Sequence, residues 1–94
     1  MTPDDLRATL EAGAPPEGLS TPLEAMWRAA KGEWDAAHEL AQSDKSADAA
    51  WVHAHLHRIE GDLSNAGYWY RRAGKPEATN DLDAEWGEIV AALG

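Results

Sequence analysis

The chain contains no cysteine, which excludes disulfide frameworks, thiolate nucleophiles, iron–sulfur clusters and cysteine-ligated zinc. Phenylalanine is absent as well, so much of the packing falls to five tryptophans, each able to bury far more surface than an alanine. Basic side chains are few. Eight Lys and Arg against 17 Asp and Glu leave a net charge of −9. Such a surface repels phosphate backbones and anionic lipid headgroups, so neither nucleic acid nor membrane is expected as a partner. Basic proteins, metal cations and neutral small molecules stay open. No apolar run approaches the roughly 20 residues of a spanning helix. The N-terminal MTPDDLRATLEAG is acidic where a signal peptide would be basic and then apolar, and the expected address is cytoplasmic. There is no phosphate-cradling glycine loop and no Ser/His/Asp nucleophile setting.

What the chain does have is an internal repeat. With Gly32 placed on Gly61, a spacing of 29 residues, Leu23 falls on Val52, Ala25 on Ala54, Trp27 on Leu56, Ala30 on Ile59, Glu33 on Asp62, Trp34 on Leu63, Ala37 on Ala66 and Leu40 on Trp69. Each unit reads as an apolar helix, a glycine turn with an acidic residue after it, and a second helix, the signature of stacked helical hairpins.

The spacing of caps and breakers predicts one all-α domain over residues 1–94. Thr2-Pro3-Asp4-Asp5 starts a capping helix that Gly13 closes, and Ala14-Pro15-Pro16-Glu17-Gly18 opens a linker over 14–20. Thr21-Pro22-Leu23-Glu24 has the form of a capping box and opens the first antiparallel hairpin, 21–43. The second hairpin spans 46–74, with helices capped by Ser46 and Asp62 and a turn at Gly61. Leu63, Ala66, Trp69, Tyr70 and Ala73 are expected on the buried face of its second helix. Asp81 caps a C-terminal helix over 81–93, where Leu82, Trp86, Ile89 and Leu93 form a stripe. Two hairpins alone would expose apolar faces, so the terminal helices are expected as caps, with homodimerisation the other way to bury those faces.

Gly61-Asp62, Ala66, Tyr70, Ala73 and Pro76 resemble the second half of a tetratricopeptide repeat. The string HAHLHR-EGD-NA-YWYRRAG is also similar to that of small uncharacterised bacterial proteins of this general shape. The tetratricopeptide resemblance implies a concave groove lined by the first helix of each repeat, binding a peptide or protein. On this chain those positions are Asp48, Trp51, His55 and Arg58, with Met26 in the first unit. Arg58 alone does not make a clamp for a peptide carboxylate.

Two stripes carry candidate chemistry. His53, His57 and Glu60 recur at i, i+4 and i+7, so they share one side of a helix. Two imidazoles one turn apart with a carboxylate beyond them can hold a divalent metal, and His38 on the preceding helix can supply a fourth ligand. A zinc-protease arrangement is excluded because Ala54 stands where glutamate would follow the first histidine. The bland alternative for His53 and His57 is a boundary position hydrogen-bonded to a carboxylate or a tyrosine. His55 points away from the pair. Asn65, Tyr68 and Arg72 form a second, donor-rich stripe beside Trp69, suited to a carboxylate or a sugar. The same side chains can equally serve as cover for the neighbouring hairpin. Gly67 in mid-helix suggests close approach of another helix. Trp27, Trp34, Trp69 and Trp86 read as core, and Trp51 as an exposed or interface aromatic.

The leading expectation is a non-enzymatic interaction or scaffolding domain, with Trp51, His55 and Arg58 in a groove for a protein or peptide. The alternative is a small metal- or ligand-binding domain built on His53, His57 and Glu60, whose catalytic form would use an imidazole or Glu60 as base. A third reading is pH sensing, since four histidines can each add a positive charge to an acidic chain.

Overall fold

The computed structural model describes all residues, Met1–Gly94, and is all-helical. Its elements are α1 (Pro3–Ala8), α2 (Thr21–Ala30), α3 (Trp34–Ser43), α4 (Ala47–Ile59), α5 (Leu63–Ala73) and α6 (Leu82–Leu93). Caps set most of these boundaries. Thr2 and Asp5 form a reciprocal capping box at α1, and the Ser46, Asp62 and Asp81 side chains each accept from an amide of the turn they open.

Two boundaries differ from the expectation. The first helix ends at Ala8 rather than running to Gly13, because the Thr9 hydroxyl donates to the Leu6 carbonyl and competes for the helical ladder. The α2 cap is Ser20, whose hydroxyl accepts from the Leu23 amide; Thr21 is already helical, so the Thr21/Glu24 box does not form. Pro22 permits this register because it lies in the first turn, where its missing N–H has no helical partner to lose.

The repeat has a physical counterpart in its turns. Gly32 and Gly61 have φ of 80° and 83°, a conformation open to glycine at little cost. Behind each, the next residue closes the same i to i−5 bond: the Glu33 amide to the Arg28 carbonyl and the Asp62 amide to the His57 carbonyl, both 2.9 Å. This is a Schellman closure, which satisfies helix-end carbonyls and reverses the chain. It lets α2 pack on α3 and α4 on α5.

Helix α4 is the axis of the molecule. It packs against α2, α3, α5 and α6, and from Ala49 to His57 every residue except Trp51 is buried. Val52 and Leu56 join Leu6, Leu23, Met26, Trp27, Trp86 and Ile89 in the main core, while Ala54 joins Ala66 and Tyr70 in a smaller one. The core tryptophans find acceptors: Trp27 donates to Thr9 Oγ1 at 3.1 Å and Trp86 to the Met26 carbonyl at 2.9 Å.

The stripe reading overreached at helix ends. Leu63 is 65% exposed and Leu82 is 38% exposed, each in the first turn of its helix. Trp34 and Trp69 are half-buried at the edge of the core they pack against, and they wall an open depression. Helix α6 also lies on α4 as well as on α1 and α2, so it covers the α4 face expected to line an open groove.

Candidate functional site

Because α4 is enclosed on several sides, its three histidines have to find partners inside the protein. Each finds a different one. His53 Nε2 lies 2.9 Å from His38 Nε2 of α3, His57 Nδ1 lies 2.5 Å from Glu60 Oε1, and His55 Nδ1 lies 2.6 Å from Glu85 Oε1 of α6.

The first two pairs merge into one cluster. One ring nitrogen from each of His38, His53 and His57 falls within 4.8 Å of the other two. The rings are held by aromatic contacts: His38 stacks on Trp34 at 4.8 Å and His53 on Trp69 at 3.8 Å. Trp34 is fixed in turn, its indole N–H donating to the Leu56 carbonyl at 2.7 Å. These side chains, with Gln42 and Asn65, line an open depression of about 510 Å³. His57 Nε2 has no partner and is not sealed from solvent, so it faces this space.

The electrostatics disfavour charge on His53 and His38. Burial pushes the His53 imidazole down from 6.5 to about 4, and the neighbouring His38 and His57 add to the shift. Burial and then His57 lower His38 in the same direction. Neutral imidazoles carry the lone pairs that metal coordination needs. His53 Nδ1 is the one sealed side-chain polar atom without a partner. The cheaper arrangement therefore puts the proton of His53 on Nε2, donating to His38, and leaves only a lone pair orphaned at Nδ1.

Glu60 does not join the three imidazoles. It sits on the Nδ1 side of His57, where it orients the ring as carboxylates do behind metal-bound histidines. His57, Glu60 and Asp62 make a second grouping, with both carboxylates exposed.

The expected groove residues lie elsewhere. His55 is 1% exposed and Arg58 is half-buried; both bond Glu85 Oε1, Arg58 at 2.9 Å, and Tyr70 donates its hydroxyl to Glu85 Oε2. His55 and Arg58 are thus parts of an interior network, because α6 brings a carboxylate onto the face that the repeat pattern left open. Burial alone would raise the Glu85 carboxyl, but hydrogen bonds from His55, Tyr70 and Arg58 outweigh it and hold the group below its ordinary value. Burial, and then the bond to ionised Glu85, push the Tyr70 phenol up. Glu85 and Tyr70 were not among the expected site residues. A signal existed: Glu85 follows Leu82 by three and precedes Ile89 by four, which places a carboxylate on the apolar stripe.

Trp51 is half-buried, with Lys75 Nζ 4.3 Å above its ring. The Asn65, Tyr68 and Arg72 stripe divides. Asn65 lines the histidine depression, while Arg72 bonds the exposed Tyr68 hydroxyl at 3.1 Å and lies over the Trp69 ring at 5.3 Å. Gly67 meets Glu77 rather than a second helix, since an added Cβ would stand 3.0 Å from Glu77 Oε1. No protein-family model, curated protein or solved structure matches this chain at a significant level.

Proposed function

We propose that the chain is a small divalent-metal-binding domain whose ligands are His38, His53 and His57. The observation that carries this reading is the convergence of three ring nitrogens within 4.8 Å at an open, aromatic-walled depression. Imidazole sets of this kind suit zinc, nickel and copper, and three protein ligands leave a coordination position for water or another small molecule. Glu60 behind His57 supplies the outer-shell hydrogen bond that fixes ring orientation and raises basicity. One feature works against tight binding. Coordination through His53 Nε2 moves its proton to the sealed Nδ1, where no acceptor waits. Leaving a buried donor unpaired costs about 1–3 kcal/mol, so the site binds more weakly than a fully satisfied structural zinc site.

The test is a calorimetric zinc titration of chelator-stripped protein at neutral pH. One ion per chain, with affinity lost in both His38→Ala and His57→Ala, is the expected result. Absence of saturable heat, or undiminished binding by either variant, would reject the reading.

The interaction reading has narrower support. Trp51, with Lys75 over its ring, borders an open depression that Glu77 and Glu88 also line. A basic peptide would be the matching partner there, and the reading predicts that Trp51→Ala abolishes such binding in protein that still unfolds cooperatively.

A further inference from the structure

A second cavity, of about 340 Å³, lies among α1, α2, α4 and α6 and does not include the histidine cluster. Its walls are mainly apolar: Leu10, Ala29, Ile59, Leu82 and Trp86. Ile59 and Leu82, both among the exposed large hydrophobics, turn toward this space. Arg7 and Asp83 stand at the edge, paired at 3.1 Å, with the guanidinium over the Trp86 ring.

The buried polar group in this cavity is His55. The side chain is almost wholly buried, yet only its Nδ1 is used, by Glu85. Its Nε2 has no partner in the protein and is not sealed, so it opens onto the cavity that the ring lines. Glu85 also fixes the role of Nδ1. An ionised carboxylate only accepts, and it accepts hydrogen bonds from Tyr70 and Arg58 as well. Nδ1 therefore carries a proton for Glu85, and Nε2 is the ring atom left free for a ligand. A mainly apolar pocket with one free ring nitrogen selects a ligand with an apolar body and one hydroxyl, a group able to donate to that nitrogen or accept from it. The volume is near the lower end of the ~300–1,000 Å³ usual for ligand sites, which fits one or two rings.

We infer that this cavity binds a small phenol-class molecule, its ring between Trp86, Ile59 and Leu82 and its hydroxyl hydrogen-bonded to His55 Nε2. The site owes nothing to the metal reading, and either can fail without the other. The probes are p-cresol and toluene, which differ by the hydroxyl, titrated separately into ¹⁵N/¹³C-labelled protein in the presence of chelator. The expected result is saturable shifts confined to Ile59, Leu82, Trp86 and the His55 ring, with p-cresol bound about fivefold or more tighter than toluene. Ala30→Trp, an exposed position on the cavity wall, should fill the space and abolish these shifts while the protein still melts cooperatively. Equal affinity for the two probes, shifts located elsewhere, or undiminished binding by folded Ala30→Trp would overturn the inference.

Discussion

His38 Nε2 and His53 Nε2 lie 2.9 Å apart, brought together from two helices with no carboxylate between them. Two neutral imidazoles at this distance share one N–H, and a further proton on His53 would charge a buried ring whose other nitrogen has no acceptor. The pair therefore resists acid, and its cost appears as a dependence of stability on pH.

In chelator-treated protein, stability should fall as pH drops from about 6.5 to about 4. The sign follows from the depressed value of His53: across this window the unfolded chain takes up a proton that the folded chain refuses. Above the window both states are neutral and the contribution is complete; below it the full loss has accrued. A shift from 6.5 to about 4 corresponds to a loss on the order of 3 kcal/mol. Urea unfolding as a function of pH reads this directly, and His53→Phe, which keeps the stack on Trp69, should flatten the curve.

Glu85→Gln should destabilise the fold by about 3–5 kcal/mol. The carboxylate accepts from His55, Arg58 and Tyr70, so its neutralisation leaves a half-buried guanidinium without its counter-charge. Chemical denaturation at neutral pH checks the size, and a change below about 1 kcal/mol would show that the network contributes little.

At the α2 start, Ser20→Ala should cost about 0.5–2 kcal/mol, whereas Thr21→Ala should cost only a few tenths. The reverse order in thermal unfolding would restore the Thr21 cap that the sequence suggested.

Much of the fold is legible because its signals are local. Gly32 and Gly61 announce the two turns, and Ser46, Asp62 and Asp81 announce three helix starts within a residue. The Ser20/Thr21 slip is also local, since two adjacent hydroxyls before Pro22 are each able to cap. Long-range pairing is a different matter. Periodicity placed His53 and His57 on one side of α4 and flagged His38, yet it also enrolled Glu60, which lies behind the His57 ring rather than beside its free nitrogen. His55 and Arg58 were assigned to an open groove because nothing in the repeat pattern says that α6 lies across α4. That information resides in Glu85, a carboxylate on an apolar stripe whose partners are 15 to 30 residues away.

Glu60→Gln separates the two roles assigned around His57. The substitution keeps a side-chain oxygen able to accept from Nδ1 but removes the charge that makes the ring a better ligand. Zinc affinity should fall about 10- to 100-fold, as outer-shell substitutions do, with cooperative unfolding retained.

The metal reading is tested most directly at the imidazole nitrogens themselves, by following the ¹⁵N resonances of all four histidines as zinc is added to one equivalent. The account predicts that the Nε2 signals of His53 and His57 and a ring nitrogen of His38 move together and saturate at one ion per chain, while His55 stays in place. Unmoved resonances for these three, or a response confined to His57 with the exposed Glu60 and Asp62, would contradict it.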